Sequence, residues 1–314
     1  MKKLHILSLS GTPYEMGYQH GRVYYDAIHK FTSERVKLSM EPAWTGFTTP
    51  RDEVLELAEA CVRAHIAYAP DLMEELRGMS DATGLTLAEL IIMNGFTDFV
   101  DLVYAYNVQQ KMPIAHHPSD NCTAFLIPGS RAADGHSFFG QTWDMHASAT
   151  PFVILMDGKP DNGMRFLSFT TTGCVGMIGM NEAGIAVGIN NLMGGDGQVG
   201  VTWNFIIRRV LQQDNIADAL SCITDAPRAG AHNYILLDKH GTGYNIEAMG
   251  QRYEIQELQD TPIHHTNHCV IPQAKAVERK RPPASQADSE YRYSRAAELL
   301  QSDTITLDDL MEIT

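Results

Sequence analysis

The chain has 314 residues, of which 44% are hydrophobic and 20% are charged, so it can bury a sizeable core. Its formal net charge of −14 argues against nucleic acid or an anionic membrane surface as the main partner. No apolar run approaches the length of a membrane-spanning helix, and five cysteines without paired spacing do not suggest a disulfide framework. A cytoplasmic enzyme is the default interpretation.

The first third of the chain is predicted to be one strand followed by helices. The N-terminal segment has too short an apolar stretch for a signal peptide and is typical of a β-strand. Thr12 and Pro13 mark a helix start, and Gly17 and Gly21 lie four apart on one face, where a second backbone can come close. Residues 52–108 then show the apolar spacing of helices.

From residue 122 onward the pattern changes to short strands separated by turn signals. The predicted strands are 122–127, 137–143, 152–156, 165–170, 174–180, 185–189, 234–237, 244–248, 253–258 and 263–270. Helices are predicted at 203–213, 216–223, 289–300 and 306–312, with a basic, proline-rich loop at 272–288. Strands, then a helix pair, then strands predict an α+β fold in which two sheets pack face to face with helices outside, a four-layer αββα sandwich.

Cys122 opens an apolar run directly after a segment, 112–120, that is too rich in proline and polar residues for a regular element. Cleavage of the Asn121–Cys122 bond would place a thiol and a free α-amino group on the same residue. Such an amine has a pKa of about 7.7–8.0, so it can accept the thiol proton near neutral pH. The alternative is an unreactive cysteine buried in a strand.

Three polar residues downstream would serve such a nucleophile. Asp144 ends the strand that follows Cys122, where a hairpin would return its carboxylate to the amine. Asn267, in a polar stretch of a predicted strand, offers a side-chain amide as half of an oxyanion hole. Asn190, which follows a predicted hairpin, is a second amide candidate.

Five stretches together resemble the acyl-coenzyme A:6-aminopenicillanic acid acyltransferase family, within the N-terminal nucleophile (Ntn) hydrolases. They occur in the family's order and are GTPYEMGYQHG (11–21), CT (122–123), QTWD (141–144), GMNEAG (179–184) and HTNHC (265–269). By position, the resemblance implies that Cys122 is the nucleophile, Asp144 the carboxylate near its amine, and Asn267 the oxyanion amide. A Ser-x-x-Arg segment at 289–292 adds Arg292 as a site candidate.

The same resemblance implies a precursor that cleaves itself between Asn121 and Cys122. The products would be a helical segment, 1–121, and an αββα segment, 122–314, which remain associated as a heterodimer within one compact domain. The implied reaction transfers an acyl group from an amide or thioester to an amine or water, through an acyl-cysteine and without a metal or organic cofactor.

The sequence departs from the family in two places. Asn121 stands where the penicillin-type members have glycine, which bears on the rate of self-cleavage. The chain also ends within a predicted helix, whereas the family continues into further strands. We therefore expect either a fragment or an unusually short C-terminus.

Two other functions fit parts of the sequence. A metal site could use His264, His265, His268 and Cys269, although adjacent histidines in a strand point to opposite faces. A non-enzymatic binding protein on an Ntn scaffold would leave Cys122 uncleaved and unreactive.

Overall fold

In the computed structural model, which describes residues 4–108 and 121–313, eleven strands form two separate sheets. The strands in chain order are β1 (His5–Gly11), β2 (Ala124–Ile127), β3 (Phe138–Gln141), β4 (Val153–Pro160), β5 (Phe166–Thr171), β6 (Ile178–Asn181), β7 (Ala186–Asn191), β8 (His232–Leu237), β9 (Gly243–Ala248), β10 (Tyr253–Glu257) and β11 (Ile263–His265). The larger sheet has the order β1-β4-β5-β6-β7-β8-β9-β10, and the smaller one has the order β11-β2-β3.

Helices fill the first third of the described chain and recur in three later places. They are α1 (Pro13–Val23), α2 (Tyr25–Ser39), α3 (Pro42–Thr45), α4 (Arg51–Tyr68), α5 (Pro70–Thr83), α6 (Leu87–Asn94), α7 (Phe96–Val108), α8 (Trp203–Val210), α9 (Ile216–Thr224), α10 (Pro272–Lys275), α11 (Pro283–Leu299) and α12 (Leu307–Ile313). The predicted helical character of this N-terminal region is confirmed. Within the described ranges, no helix combines the length and the apolar character needed to cross a bilayer.

Alternate side chains along strand β2 point to different layers, which shows how the layers are stacked. Ala124 and Leu126 belong to a buried cluster shared with strand β8, so this face of the small sheet packs on the large sheet. Phe125 and Ile127 point the other way, into a cluster that contains Leu310 of helix α12. The opposite face of the large sheet packs on helices α1, α2 and α4–α9 in the main core. The resulting order is helix, sheet, sheet, helix, as the sequence predicted.

Side chains of strand β8 also point alternately to the two neighbouring layers, and its polar residues follow the same alternation. Ile235 and Leu237 lie between the sheets, whereas Tyr234 lies in the main core on the helix side. By the two-residue period of a strand, Asn233 faces the small sheet and His232 faces the helices. Both polar residues are buried.

The main core joins the two sides of the predicted cleavage point. It contains residues of helices α1, α2 and α4–α7 and residues of strands β4–β9 in a single contiguous cluster. Cutting the chain before Cys122 would therefore divide a shared core between two fragments, which is consistent with fragments that stay together.

Three predicted elements differ from the observed ones. The strand predicted at 263–270 ends at His265, because beyond this residue the side chain of Asn267, rather than the backbone, contacts the neighbouring strand. The strand predicted at 174–180 begins only at Ile178. The loop predicted at 272–288 contains helix α10 and the start of α11, where Pro283 occupies the first helical turn, a position that proline favours. The proline-rich segment 112–120 lies outside the described residues.

Helices α1 and α5 are in closer contact than side chains would allow. A Cβ atom added at Gly17 would lie 1.7 Å from the backbone oxygen of Glu75, and one added at Gly78 would lie 2.0 Å from the backbone oxygen of Tyr14. The glycine pair of the N-terminal motif therefore serves helix packing, since only an absent side chain permits this approach.

We expect Gly17→Ala to lower the free energy of unfolding by about 3 kcal/mol, because backbone atoms cannot move aside as a flexible side chain can. Alanine is the better helix former by about 1 kcal/mol, so any loss must come from the clash. Arg22→Ala, on the exposed face of the same helix, is the control and should change stability by less than about 0.5 kcal/mol. Urea denaturation measures both, and equal stability of the two variants would contradict the tight packing.

Candidate active site

Cys122 lies two residues before the start of strand β2, with 2% of its surface exposed. Its backbone N–H donates a hydrogen bond of 2.7 Å to Oδ1 of Asn267. Strand β11 pairs with β2 through His265 and Ala124, so continuing that ladder by two residues places Asn267 opposite Cys122. A side-chain amide thus takes the place of a backbone partner at this one residue.

The Asn267 side chain is fixed on both sides. Its Nδ2 donates to the backbone oxygen of Asn191 at 3.1 Å, and its backbone N–H donates to Oγ of Ser289 at 2.9 Å. Ser289 is buried and also lies 2.8 Å from Nδ1 of His268. Burial, and then the neighbouring His265, lower the pKa of His268 to about 4, so its ring is neutral at neutral pH.

Arg292 of helix α11 holds the same group of atoms from the other side. Its Nη1 donates to the backbone oxygen of Cys122 at 2.6 Å and to Oγ1 of Thr123 at 3.2 Å. Its Nη2 donates to Oδ1 of Asn267 at 3.1 Å. Asp288 orients the guanidinium by accepting from Nε at 2.9 Å. The structure therefore brings together Cys122, Asn267 and Arg292, three of the residues that the sequence suggested.

Asp144 meets the predicted cleavage point through its backbone. Its N–H donates to the carbonyl oxygen of Asn121 at 2.8 Å, and its carbonyl oxygen accepts from the Asn121 N–H at 3.2 Å. The Asp144 side chain is exposed, and the N–H of Cys122 is held by Asn267 instead. The role of Asp144 as the carboxylate near the amine stays a prediction. Its backbone contact to the Asn121 carbonyl is a feature that the sequence did not suggest.

Asn190 faces the small sheet from strand β7. The Gln141 side chain bonds both backbone groups of Ile189, with its Nε2 donating at 3.0 Å and its Oε1 accepting at 2.8 Å. Asn267 bonds the backbone of Asn191, so Asn190 lies between these two points of contact. Its Oδ1 accepts from Asn233 at 3.3 Å, while its fully buried Nδ2 has no acceptor among the described residues. An unsatisfied buried amide donor is costly unless a ligand or water completes it.

Sequence reasoning missed two residues that build the site. Ser289 was noted only as the first residue of a short motif, although it anchors the Asn267 backbone. Gln141 was part of the family resemblance without a role, and it docks one sheet on the other at Ile189. The sequence signal for Gln141 was a polar side chain in a strand. Gly188 makes room for this side chain, since a Cβ added there would lie 2.0 Å from Gln141 Oε1.

Trp143, which lines a small cavity, lies opposite Cys122 in the strand ladder. The ladder between Ala124–Gln141 and Asn121–Asp144 places Trp143 opposite Cys122, in a position where both side chains lie on the same face. Trp143 lines a small cavity of about 30 Å³, which has room for about one water molecule. The other lining residues are Phe31, Arg35, Met93, Asn94, Phe96, Thr97, Met145, Thr171, Cys174, Met177 and Trp203.

The other four cysteines are poor nucleophiles. Burial raises the pKa of Cys61, Cys174 and Cys222 to about 11, and it raises the pKa of Cys269 further. A thiol with such a pKa is almost entirely protonated at neutral pH, and the thiolate is the reactive form.

Two of the three histidines considered as metal ligands, His265 and His268, have other partners. The ring nitrogens of His265 lie 2.8 Å from a Glu247 oxygen and 2.8 Å from the backbone oxygen of Thr266, and His268 contacts Ser289. Over the ranges 4–108 and 121–313, no three His, Cys, Asp or Glu side chains are grouped as metal ligands would be.

Comparison with known families assigns a class. The profile described as acyl-coenzyme A:6-aminopenicillanic acid acyl-transferase matches residues 131–312, more than half of the chain. The matched range starts after Cys122 and contains Asp144, Asn190, Asn267 and Arg292. The class is thus that of acyl-transfer enzymes. The chain belongs to the acyl-coenzyme A:6-aminopenicillanic acid acyl-transferase family.

Individual relatives are distant. The 40 kDa form of the acyl-coenzyme A:6-aminopenicillanic-acid-acyltransferase of Emericella nidulans is 24% identical over 301 residues, which cover 95% of this chain and 77% of the relative. An uncharacterized protein of Archaeoglobus fulgidus is 27% identical over 278 residues, which cover 81% of this chain and 45% of the relative. A crystal structure of conjugated bile acid hydrolase from Clostridium perfringens is 13% identical, with a TM-score of 0.36 over 48% of this chain and 54% of that one.

We expect Ser289→Ala to lower the free energy of unfolding by about 2 kcal/mol, because it leaves the buried N–H of Asn267 without an acceptor. Ser294→Ala, exposed on the same helix, is the matched control and should change stability by less than about 0.5 kcal/mol. Urea denaturation compares the two. Equal effects would mean that Ser289 does not anchor the amide.

Proposed function

We propose that this chain is an autoproteolytically activated acyltransferase or amidohydrolase whose nucleophile is an N-terminal Cys122. The observation that carries the proposal is the hydrogen bond from the Cys122 N–H to Asn267, with Arg292 bonded to both residues. These contacts hold the backbone nitrogen that cleavage would turn into the catalytic amine. Family membership supports acyl transfer as the reaction.

Self-cleavage begins with attack of the Cys122 thiol on the carbonyl carbon of Asn121. A C–S bond forms, the Asn121–Cys122 C–N bond breaks, and the thiol proton moves to the departing nitrogen, which becomes the α-amine. Water then hydrolyses the thioester, which releases the Asn121 carboxylate and restores the thiol. The Asp144 N–H already donates to the attacked carbonyl oxygen, so it stabilises the negative charge that develops there.

Turnover uses the same two atoms of Cys122, the sulfur and the α-amino nitrogen. The α-amine accepts the thiol proton, sulfur attacks the acyl carbonyl of the substrate, and the amine passes the proton to the leaving group. Water or a second amine then resolves the acyl-cysteine. The Arg292 guanidinium and this nitrogen both donate to the Asn267 oxygen, so a fixed positive charge lies beside the proposed base.

Two side-chain amides are placed to bind the oxyanion during turnover. Asn267 donates one Nδ2 hydrogen to Asn191 and keeps a second one. Asn190 offers a buried Nδ2 on the face of the large sheet that faces the small sheet. Preorganised donors of this kind contribute most when they need not reorient during the reaction. Asn267 would therefore orient the amine through its oxygen and the oxyanion through its nitrogen.

The substrates are a small acyl amide or acyl thioester as donor and an amine or water as acceptor, and the mechanism needs no cofactor. The fungal relative is named for transfer from an acyl-coenzyme A, which supports a thioester donor. Segments 1–121 and 122–314 would remain associated through the main core as a heterodimer. None of the five cysteines, all of which lie in the described ranges, is disulfide-bonded, which suits a reducing compartment such as the cytoplasm.

We expect the purified protein to give two fragments that split at Cys122, and Cys122→Ala to abolish both cleavage and turnover. The substitution removes the only thiol adjacent to the Asn121 carbonyl. Cys222→Ala, which removes a thiol with a pKa of about 11, is the matched control and should leave both processes unchanged. Denaturing gels and intact-mass spectrometry detect the fragments, and release of a chromogenic amine measures turnover.

Three other outcomes are informative. Near-normal turnover in Cys122→Ala would refute the nucleophile, and an uncleaved wild type that still turns over would show that Cys122 works without becoming a terminus. An uncleaved wild type without turnover, whose Cys122 resists acylating reagents, would indicate a binding protein.

We expect Asn267→Ala to slow acylation of Cys122 by about 100- to 1,000-fold, the range typical of a lost oxyanion donor. Asn162→Ala, in an exposed turn, is the control and should acylate at the wild-type rate. Single-turnover mass spectrometry measures the rate constant, and circular dichroism verifies that the fold is kept. An unchanged acylation rate in folded Asn267→Ala would exclude this role.

A further inference from the structure

Glu247 and His265 form a buried contact that the proposed mechanism does not use. Glu247 lies on strand β9 of the large sheet, and His265 is the last residue of strand β11 in the small sheet. Both side chains are 0% exposed, and Nε2 of His265 lies 2.8 Å from Oε1 of Glu247. The contact therefore joins the two sheets only two residues before Asn267 in the chain.

Both ring nitrogens of His265 are engaged. Its Nδ1 lies 2.8 Å from the backbone oxygen of Thr266, which can only accept, so Nδ1 carries a hydrogen. A proton between Nε2 and the Glu247 oxygen joins the two side chains, whichever of them carries it. The ring is thus fixed from two directions.

The Glu247 carboxylate also holds the chain beyond His265. Its Oε1 accepts from the backbone N–H of Val270 at 2.6 Å, and its Oε2 accepts from the N–H of Ile271 at 3.1 Å. We call residues 266–271 the Asn267 loop. Glu247 is therefore bonded to the residue that precedes this loop and to the two residues that end it.

Side chains hold the backbone of the Asn267 loop, because the chain leaves strand β11 at His265. The N–H of Asn267 donates to Ser289, and the N–H of Cys269 donates to Oε1 of Glu278 at 3.1 Å. Buried N–H groups are costly when they lack an acceptor. Of these three supporting side chains, Glu247 alone accepts from two N–H groups of the loop.

We infer that Glu247 is a positioning residue which, with His265, holds the Asn267 loop so that the Asn267 amide stays on the nitrogen of Cys122. The effect on rate rests on the proposed function, whereas the effect on structure rests only on the hydrogen bond between Cys122 and Asn267. A misplacement of about 1 Å at a reacting group can cost about 100-fold in rate.

The chemistry of the contact requires a carboxylate, which accepts hydrogen bonds at both of its oxygens. Glutamine has nearly the same shape but carries an NH2 group at one of the two positions. In Glu247→Gln this group would face the N–H of Val270 or that of Ile271, so one buried N–H would lose its acceptor. Glu247→Asp keeps both oxygens on a shorter side chain.

The first test measures position without chemistry, by amide hydrogen exchange in the uncleaved Cys122→Ala protein. The amide of residue 122 remains a peptide N–H that Asn267 can bind. Adding Glu247→Gln should speed its exchange by about ten-fold, the effect of weakening one hydrogen bond. Glu75→Gln is the matched control, because Glu75 is a buried carboxylate that is paired elsewhere, 2.8 Å from Arg208. It should change this exchange by less than about two-fold.

Exchange through global unfolding is recognised from the amides of strand β8, which then change as much as the amide of residue 122. Equal effects of Glu247→Gln and Glu75→Gln at residue 122 would overturn the positioning role.

The second test measures turnover of a chromogenic acyl amide, normalised to the cleaved fraction. Glu247→Gln should lower kcat by about 10- to 100-fold and change KM by less than about three-fold, because Asn267 acts in the transition state. Glu247→Asp should recover part of the rate. His265→Gln should resemble Glu247→Gln, and the double variant should be no more than about three-fold slower than either, since both changes break the same link.

The outcomes separate this inference from the proposed function. Faster exchange at residue 122 together with a lower kcat would support both. Unchanged exchange in folded Glu247→Gln, or faster exchange with an unchanged kcat, would overturn the positioning role and leave the nucleophile intact. Faster exchange in a protein whose wild type shows no turnover would support the positioning of Asn267 and refute the enzymatic function.

Discussion

The hydrogen bond between the Cys122 N–H and the Asn267 side chain is the contact on which the rest of the site depends. Strand β11 ends two residues before Asn267, and this early end frees the side chain to face strand β2. A longer β11 would pair the backbone with Cys122 and turn the amide away. The fold thus replaces one ladder bond with a side chain that can hold an amide nitrogen before cleavage and an amine afterwards.

Charge placement around this contact is equally specific. Arg292 donates to backbone and side-chain oxygens that belong to three residues of the site, which a lysine could not do because it lacks the planar fork of donors. The His268 ring nearby is neutral, since burial lowers its pKa to about 4. One fixed positive charge therefore acts on the nitrogen of Cys122, and no second one competes with it from His268.

The sequence predicted the architecture because its signals are local. Thr12 forms a capping box with Glu15, and the glycines of helix α1 are accounted for by contact with helix α5. Turn residues and alternating apolar positions likewise predicted two sheets and their outer helices. The predicted strand that contained Asn267 was wrong at its end, since a side chain replaced the backbone there and periodicity does not record that exchange.

The site was predictable only in part, for a physical reason. Cys122 and Asn267 were found through motifs, and the structure brings them within hydrogen-bond distance. The backbone contact of Asp144 and the anchoring by Ser289 arise from residues far apart in the chain. Such contacts depend on how helices and sheets pack, and no local pattern encodes them.

The central claim is that Cys122 carries the acyl group, and mass spectrometry of the protein mixed with short acyl thioesters tests it most directly. The structure predicts one added acyl group per chain, on the peptide that begins with Cys122. It also predicts none on Cys61, Cys174 or Cys222, whose pKa values of about 11 keep them protonated. An acyl group found on another residue, or turnover that proceeds without an adduct on Cys122, would contradict it.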